Sequence, residues 1–239
     1  MPILEGYQVT KNFGGLTAVA HVDFNVEQGE ILGLIGPNGA GKTTLFNLIS
    51  GALTLKSGAI KFKDKTISGL RPHQICRMGI ARTFQSIKIF ANMSALDNVL
   101  LGSLFGPKSV MSTNEASAKA TELLDFMELS NSKNTPAKDL TLVNQKKLEV
   151  ARALATKPEL LLLDELMAGL NPTEVIHAME LVKSIRAKGI TIIMIEHVMK
   201  AIMNICDRIM VLHHGEKIAE GTPHDIATSK RIIEVYLGE

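Results

Sequence analysis

The first quarter of the chain alternates between apolar and polar residues with a period of two. The apolar members of this pattern are Val22, Phe24, Val26, Ile60 and Phe62. Polar residues such as Asp23, Asn25 and Lys61 separate them. Because successive side chains of a strand point to opposite faces, the alternation predicts antiparallel strands with one face on a core and one face in water.

Three short runs further along the chain are apolar without interruption. They are ILGLIG at 31–36, LLLLD at 160–164 and ITIIMI at 190–195. Apolar runs of this length, flanked by helical periodicity, are typical of parallel strands that are buried on both faces. The sequence therefore predicts an α/β protein with a mainly parallel core sheet and an N-terminal antiparallel β lobe.

Helical patterns replace strand patterns between residues 86 and 155. Ser112 and Glu115 have the spacing of a capping box. The apolar stripe behind them consists of Ala120, Leu123, Leu124 and Met127. A helical subdomain inserted into the α/β core is the simplest account of this region.

Another helix is predicted after Asn171-Pro172, with an end near Gly189. Its apolar face consists of Val175, Ala178, Met179 and Val182. The spacing of these residues puts them on one side of a helix, which is expected to cover the core sheet.

The bulk composition is that of an ordinary globular chain. The 239 residues are 46% hydrophobic and 21% charged, and 26 Lys and Arg against 24 Asp and Glu leave a formal net charge of +2. So small a positive excess gives no reason to expect a nucleic acid as partner. The two cysteines, Cys76 and Cys206, are expected to be reduced and mostly buried thiols rather than a disulfide.

The N-terminus lacks the basic stretch and apolar core of a signal peptide. Apolar runs such as 190–195 are far shorter than the about 20 residues that a membrane-spanning helix needs. We therefore expect neither a signal peptide nor a transmembrane segment. Docking on a membrane protein stays open.

A phosphate-binding loop is the strongest chemical signal in the sequence. The residues Gly36, Pro37, Asn38, Gly39, Ala40, Gly41, Lys42 and Thr43 fit the pattern G-x-x-x-x-G-K-[ST]. The pattern joins a predicted strand to a helix predicted to start near Lys42. Glycines let the backbone N–H groups of the loop point at a phosphate.

Within that motif, Lys42 is expected to reach the β- and γ-phosphates and the Thr43 hydroxyl to bind Mg²⁺. Thr44 follows at once and is included in the nucleotide site. The loop therefore predicts ATP and Mg²⁺ as the cofactors.

The acidic half of the site follows the buried run LLLLDE. Asp164 can complete the Mg²⁺ shell, and Glu165 can polarise an attacking water. General-base help of this kind contributes about 10²–10⁴-fold to a rate. The two halves together predict a P-loop core of the RecA-like kind that hydrolyses a nucleotide.

These motifs resemble those of the ATP-binding cassette (ABC) superfamily, and the resemblance runs from about Leu4 to Glu239. It implies that Phe13, in KNFGG, stacks on adenine. It implies that Gln85, in ARTFQ, senses the γ-phosphate and Mg²⁺, and that His197, in IMIEH, is a switch histidine on the γ-phosphate.

Within the superfamily, the match is to cassettes of branched-chain amino acid importers. The segments that carry it are GPNGAGKTTLFNLISG, GIARTFQ, AGLNPTE, GEKIAEGTP and the terminal YLGE. The transported substrate is a weaker inference than the superfamily, because other subunits select it.

The resemblance also implies the organisation and the partners. Residues 1–239 would form one nucleotide-binding domain, with 1–85 and 156–239 as the ATP-binding core with its β lobe and 86–155 as the helical subdomain. The chain would lie at the cytoplasmic face of the inner membrane as a peripheral subunit. Its expected partners are a second cassette, either identical or related, transmembrane permease subunits and, indirectly, an extracytoplasmic substrate-binding protein.

One motif departs from the superfamily. Cassettes pair head to tail, and each ATP is closed in by a signature, typically L-S-G-G-Q, from the other subunit. Here Thr141 stands at the serine, Leu142 and Val143 at the glycines and Asn144 at the glutamine. Thr141 can still cap a helix and donate to phosphate. Val143 is expected to exclude left-handed backbone and to crowd the γ-phosphate.

Two interpretations of this signature remain open. In one, Thr141 and the helix dipole supply the phosphate contact. In the other, which we favour, the half-site that serves the partner's ATP is impaired, since loss of one such donor costs about 10²–10³ in rate. A second departure is Leu166, which stands where a proline commonly follows the acidic pair and is expected to loosen that turn.

Three other functions compete with the transporter subunit. A soluble ABC ATPase of DNA repair or translation usually has two cassettes or a long coiled coil, and neither pattern is present. A P-loop kinase or GTPase is disfavoured because no N-K-x-D motif occurs. A regulatory cassette that binds ATP but hydrolyses it weakly is suggested by LTLVN alone. Membrane subunits that co-purify with the chain would favour the transporter, and ribosomes or DNA the soluble ATPase.

Overall fold

The computed structural model describes residues 1–107, 112–230 and 232. The strands are β1 Pro2–Phe13, β2 Leu16–Glu27, β3 Ile31–Ile35, β4 Ser57–Phe62, β5 Lys65–Thr66, β6 Ile80–Arg82, β7 Leu160–Asp164, β8 Thr191–Ile195, β9 Arg208–His213 and β10 Glu216–Gly221. The α-helices are α1 Lys42–Ile49, α2 Pro72–Met78, α3 Ala95–Ser103, α4 Thr113–Phe126, α5 Leu142–Ala155, α6 Pro172–Ala187, α7 Met199–Ile205 and α8 Pro223–Thr228.

A six-stranded sheet with the order β10-β9-β3-β8-β7-β6 forms the centre of the described chain. Its pairs are parallel except for β10, which runs antiparallel to β9. The three apolar runs are β3, β7 and β8, and every residue of these strands is buried. The predicted α/β fold with a mainly parallel core sheet is confirmed.

The register of this sheet sets the position of the chemistry. Ile195, the last residue of β8, pairs with Leu34 on one side and with Asp164 on the other. The loops that follow β3, β7 and β8 therefore leave the sheet at the same level and at the same edge.

The N-terminal sheet has the order β2-β1-β4-β5 and is antiparallel. Val22, Phe24 and Val26 are buried while Asp23 is exposed, as the alternation predicts. Helix α1 packs in one core with both sheets, through Phe46 among others. The β lobe thus covers the helix that begins at the phosphate loop.

The opposite face of the central sheet carries helices. Leu161 and Leu163 of β7 pack in a core with Leu148 of α5 and Val182 of α6, whereas Leu160 and Leu162 belong to the core on the α1 side. Both faces of the sheet are covered, which explains why its strands are apolar throughout.

Helices α3, α4 and α5 follow β6 and precede β7, within the segment predicted to be helical. The capping box of Ser112 and Glu115 is present at the start of α4, and Leu124 and Met127 of its stripe are fully buried. The helix predicted after Asn171 is α6, which begins with a capping box between Asn171 and Glu174. The subdomain boundaries at 85 and 156 stay a prediction.

No helix in the described ranges is both long and apolar enough to cross a membrane. Cys206 is buried and Cys76 is partly buried, and both are free thiols. The terminal YLGE of the resemblance lies outside the described residues.

We expect Gly102→Ala to destabilise the protein, because α3 and α5 touch at this glycine. A Cβ there would lie 2.4 Å from the carbonyl oxygen of Arg152, which is backbone and cannot move aside cheaply. Overpacking of this kind costs about 1–3 kcal/mol. Urea unfolding followed by circular dichroism measures the loss. Gly15→Ala is the matched control, since nothing lies within 4 Å of its Cβ position; equal stability of the two variants would contradict the close approach.

Candidate functional site

Residues from five segments line one cavity at the edge of the central sheet. The cavity has a volume of about 210 Å³ and is lined by Ala18, by residues 38–44 and by Gln85, Glu165 and His197. These include most of the residues that the sequence assigns to the nucleotide. Among the predicted ones outside the lining are Phe13 and Thr141, which lie on other surfaces, and Asp164, which is buried beneath the cavity edge.

The phosphate loop needs glycine where its backbone turns into α1. Gly41 has a φ of 102°, in the left-handed region, and a Cβ there would lie 2.4 Å from the carbonyl oxygen of Ala18. No side chain caps α1 at Gly41. The first N–H groups of the helix are therefore free of a capping side chain, and with the helix dipole they favour an anion in the cavity.

Lys42 is folded into this loop. Its side chain is buried, and its Nζ donates to the carbonyl oxygens of Gly36 at 2.6 Å and Pro37 at 2.9 Å. Burial lowers the pKa of Lys42 below its ordinary value, while the charges of Glu165 and Asp164 act in the opposite direction. The ammonium is thus held by carbonyl dipoles at a place where a phosphate would bring full negative charge.

Asp164 forms a buried ion pair that the sequence did not predict. Its Oδ2 lies 2.8 Å from an Nη atom of Arg82, at the end of β6. Arg82 also donates to Asn47 of α1 at 2.6 Å, and its guanidinium lies 5.2 Å from the centre of the Phe84 ring. Burial raises the pKa of Asp164, and Arg82 counteracts that rise. The signal of this ion pair in the sequence was a lone arginine in the segment GIARTFQ.

The second carboxylate oxygen of Asp164 is available to a cation. Asp164 Oδ1 is buried and has no hydrogen-bond partner. Thr43, which follows Lys42, is exposed and lines the cavity. In the described ranges, no group of three His, Cys, Asp or Glu could hold a metal by itself. One carboxylate and one hydroxyl, completed by phosphate oxygens and water, fit the octahedral oxygen shell of Mg²⁺.

Gln85 and His197 converge on Glu165. The Gln85 amide Nε2 lies 3.1 Å from both carboxylate oxygens of Glu165, and His197 Nε2 lies 3.0 Å from Oε1. The three residues come from the loops after β6, β7 and β8. Residues that are far apart in sequence and that share one predicted chemistry are therefore in direct contact.

The backbone of Glu165 is left-handed, with a φ of 53°. Its N–H donates to the carbonyl oxygen of Ile195 at 2.9 Å. Strained backbone of this kind costs about 1–3 kcal/mol and persists where the surroundings hold it. The turn aims the carboxylate out of the sheet and into the cavity.

Glu196 is a buried acid that sequence reasoning also missed. Its Oε1 accepts a hydrogen bond from the N–H of Met167 at 2.8 Å, and its Oε2 is buried without a partner. Burial raises the pKa of Glu196 to about 7. Its position directly after the apolar run of β8 and next to His197 was the signal that could have found it.

Phe13 and Thr141 lie outside the cavity. Phe13 is 48% exposed at the turn between β1 and β2, with Lys11 Nζ 5.3 Å from its ring centre. Thr141 is the N-cap of α5, and its hydroxyl accepts from the N–H of Asn144 at 3.4 Å. The predicted capping role of Thr141 is confirmed, and both residues present open surface to a partner or a ligand.

Of two expectations about the unusual positions, one is confirmed and one was wrong. Leu142 and Val143 form the first turn of α5 in right-handed helical conformation, so the expectation that Val143 excludes left-handed backbone is confirmed. The expectation that the Val143 side chain crowds the γ-phosphate stays a prediction. Leu166 does not leave a loosened turn, because its side chain is buried and its carbonyl oxygen accepts from Lys146 Nζ at 2.9 Å.

The fold and the cavity define a P-loop nucleotide-binding protein, and comparison with known proteins gives the family. The family described as "ABC transporter" matches residues 19–168. The chain belongs to this family and is an ABC transporter ATPase. Proteins of this family bind ATP or ADP and form cassette dimers, as a dimeric structure in a post-hydrolysis state with ADP and phosphate illustrates (26% identity, 92% of this chain and 98% of that chain, TM-score 0.83).

Relatives match the chain over its full length. The high-affinity branched-chain amino acid transport ATP-binding proteins BraF of Pseudomonas aeruginosa and LivG of Escherichia coli K12 are each 39% identical to it, over 100% of this chain and 98% of theirs. A crystal structure of an ATP-binding cassette of an ABC transporter in its ADP conformation has a TM-score of 0.91 at 33% identity and covers 100% of both chains.

We expect the stability of the protein to fall as pH rises from 5 to 8, through Glu196. Its pKa is raised from 4.5 to about 7 by folding, so the folded state binds the extra proton between these values and loses that advantage above them, a total of about 3 kcal/mol. Glu196→Gln should flatten the pH dependence of the free energy of unfolding. Glu122→Gln, at an exposed position of α4, is the control; a wild-type slope in Glu196→Gln would contradict the assignment.

Proposed function

We propose that the chain hydrolyses Mg·ATP with Glu165 as the catalytic carboxylate and couples this reaction to import by separate membrane subunits. The observation that carries the proposal is the convergence of Gln85 and His197 on Glu165 beside the phosphate loop. A structural ion-pair network would not require an open cavity, a free helix N-terminus and a buried lysine at the same place. An ATP phosphate accounts for all three.

The ground-state contacts follow from the cavity. The N–H groups of the phosphate loop and the first turn of α1 bind the phosphate oxygens, and Lys42 exchanges its carbonyl partners for the β- and γ-phosphates. Phe13 offers its exposed ring face to the adenine. Thr43, Asp164 and Gln85 would hold Mg²⁺, which when bound neutralises charge that the phosphates develop.

The reaction is an in-line displacement at the γ-phosphorus. A water molecule, oriented by the Glu165 carboxylate, forms the new P–O bond, while the bond from the γ-phosphorus to the bridging oxygen breaks. ADP leaves with that electron pair, and the proton of the water passes to Glu165 or to solvent. His197 and Gln85, which contact the carboxylate here, are placed to turn to the γ-phosphate when nucleotide enters.

A groove beside Gln85 suits a loop of a permease. It has a volume of about 680 Å³ and lies between α2, β6, α3 and α5, and its lining is mostly apolar but includes Arg82, Glu149 and Arg152. Phe90 and Phe105 are half-exposed in it. Arg152 and Glu149 of α5 hydrogen-bond Lys88, in the same loop as Gln85. An occupant of this groove therefore contacts the segment that leads to the catalytic carboxylate.

The names of the relatives support branched-chain or related amino acids as the cargo. On this proposal the chain is a peripheral subunit on the cytoplasmic face of the membrane, paired with an identical or related cassette. It serves two permease subunits that receive substrate from an extracytoplasmic binding protein. It needs no nucleic acid.

We expect Glu165→Gln to keep nucleotide affinity but to lower hydrolysis by about 10²–10⁴-fold, because the amide cannot act as base. Lys42→Ala should instead weaken binding of a fluorescent adenine nucleotide, since its charge contacts the phosphates. Titration and phosphate release of the purified chain measure the two effects, with Glu122→Gln as control. Saturable binding by wild type and Lys42→Ala with equal affinity would refute the proposal.

We expect Val143→Gly to raise the steady-state ATPase rate, because its side chain crowds the place where a partner's γ-phosphate approaches the N-terminus of α5. The gain can reach the about 10²–10³-fold range of a restored oxyanion donor. Ile176→Gly, at an exposed position of α6, controls for lost helix propensity. Equal, brisk rates in wild type and Val143→Gly would show that the signature is competent as it stands.

A further inference from the structure

A buried lysine lies behind the turn that carries Glu165. Lys146, in the second turn of α5, is 9% exposed. Its Nζ donates to the carbonyl oxygens of Glu165 at 3.1 Å, Leu166 at 2.9 Å and Ala168 at 2.7 Å. An ammonium has three donors, so its whole hydrogen-bonding capacity is used on one short stretch of backbone.

That stretch contains the left-handed residue of the site. The φ of Glu165 is 53°, which costs about 1–3 kcal/mol for a residue with a Cβ. Its N–H is held by Ile195 of β8 and its carbonyl oxygen by Lys146 of α5. Lys146 thus fixes one of the two peptide groups that determine where the Glu165 carboxylate points.

Glu196 holds the same turn from the other side. Its Oε1 accepts from the N–H of Met167, in the middle of the stretch whose carbonyls Lys146 binds. Glu196 and Lys146 are both buried, and their charges attract each other. The turn at 165–168 is therefore held between α5 and the end of β8 by two ionisable side chains.

We propose that Lys146 is a positioning residue for ATP hydrolysis. It holds the backbone of Glu165 so that the carboxylate keeps the geometry that Gln85 and His197 share. This inference rests on the proposed function, because it takes Glu165 as the group that acts on ATP. Lys146 is not among the residues that line the cavity, so it acts through Glu165 and not on the nucleotide.

The neighbouring lysine provides a matched control. Lys147 lies one position further along α5 and pairs with Glu128 at 2.5 Å, away from the turn. Both positions accept methionine without loss of helix propensity or side-chain length. Lys146→Met and Lys147→Met therefore differ mainly in whether the carbonyls at 165–168 keep their donor.

The first measurement is steady-state hydrolysis of ATP. Lys146→Met should lower kcat by about 10-fold or more, since a catalytic group displaced by about 1 Å can lose 10²-fold. The KM for ATP should change less than about 2-fold, and Lys147→Met should leave both constants within about 2-fold. Lys146→Arg should recover part of kcat. If Lys146→Met has the same kcat as Lys147→Met, the proposal is overturned. It is also overturned if the KM for ATP rises by the same factor as kcat falls.

A double-mutant cycle tests whether Lys146 acts through the carboxylate. In a Glu165→Gln background, Lys146→Met should cause no further loss, whereas a loss equal to that in wild type would overturn the proposal. The outcome also separates the two hypotheses. Hydrolysis unaffected by Glu165→Gln would refute the proposed function, while hydrolysis that needs Glu165 but ignores Lys146 would refute only the positioning role.

Amide hydrogen exchange gives a readout that does not depend on turnover. Exchange in the segment 165–170 should be faster in Lys146→Met than in wild type and unchanged in Lys147→Met. The reason is that the turn loses one of the two side chains, Lys146 and Glu196, that hydrogen-bond its backbone. Equal exchange in all three proteins would overturn the proposal.

Discussion

Parallel pairing of β3, β7 and β8 is the constraint on which the site depends. The pairing of Ile195 with both Leu34 and Asp164 fixes the level at which three loops leave the sheet. Side chains along a strand alternate with a period of two, so a slip of one residue would turn each strand's side chains to the opposite face. Apolar residues that never touch nucleotide, such as Leu161 and Leu163, hold that register by packing on the helices behind it. The same strand register is therefore required both for the packing of the core and for the positions of the site residues.

Buried charge is concentrated at this edge, and each charge is held differently. Lys42 is held by carbonyl oxygens of its own loop, Asp164 by Arg82, and Lys146 by the turn after β7. Isolated charges in a protein interior are costly, so such groups are paired or hydrogen-bonded. Two oxygens escape this rule, Asp164 Oδ1 and Glu196 Oε2. The first fits a cation ligand and the second a carboxyl that protonates near neutral pH, so the two exceptions have different physical solutions.

The sequence was sufficient to locate β2, β3, β4, β7 and β8, the phosphate loop and the acidic pair, because a local pattern of residues marks each of them. Arg82, Lys146 and Glu196 were not predicted, because their importance lies in partners distant along the chain. Periodicity indicates that a side chain is buried, but it does not identify the hydrogen-bond or ion-pair partner of that side chain. Leu166 was misjudged for a related reason: the turn after Asp164 was inferred from the proline usually found there, whereas Leu166 is buried and its carbonyl oxygen accepts from Lys146. The resemblance predicted the class of site, whereas the roles of Arg82, Lys146 and Glu196 became apparent only from the structure.

Helix α5 connects three parts of the proposed mechanism that the sequence presents as separate motifs. Thr141 at its N-cap faces the partner's nucleotide on this proposal, Lys146 holds the turn of Glu165, and Glu149 binds the backbone of Lys88 in the loop that carries Gln85. A helix of 14 residues is about 21 Å long and moves as one body. On the same proposal, a shift at the groove between α2, β6, α3 and α5 would also move the acidic turn and the N-terminus of α5. The departure from glycine at 142 and 143 lies on this same helix, so on the proposed function it would weaken a phosphate contact without removing the link through α5 between the two nucleotides of a pair.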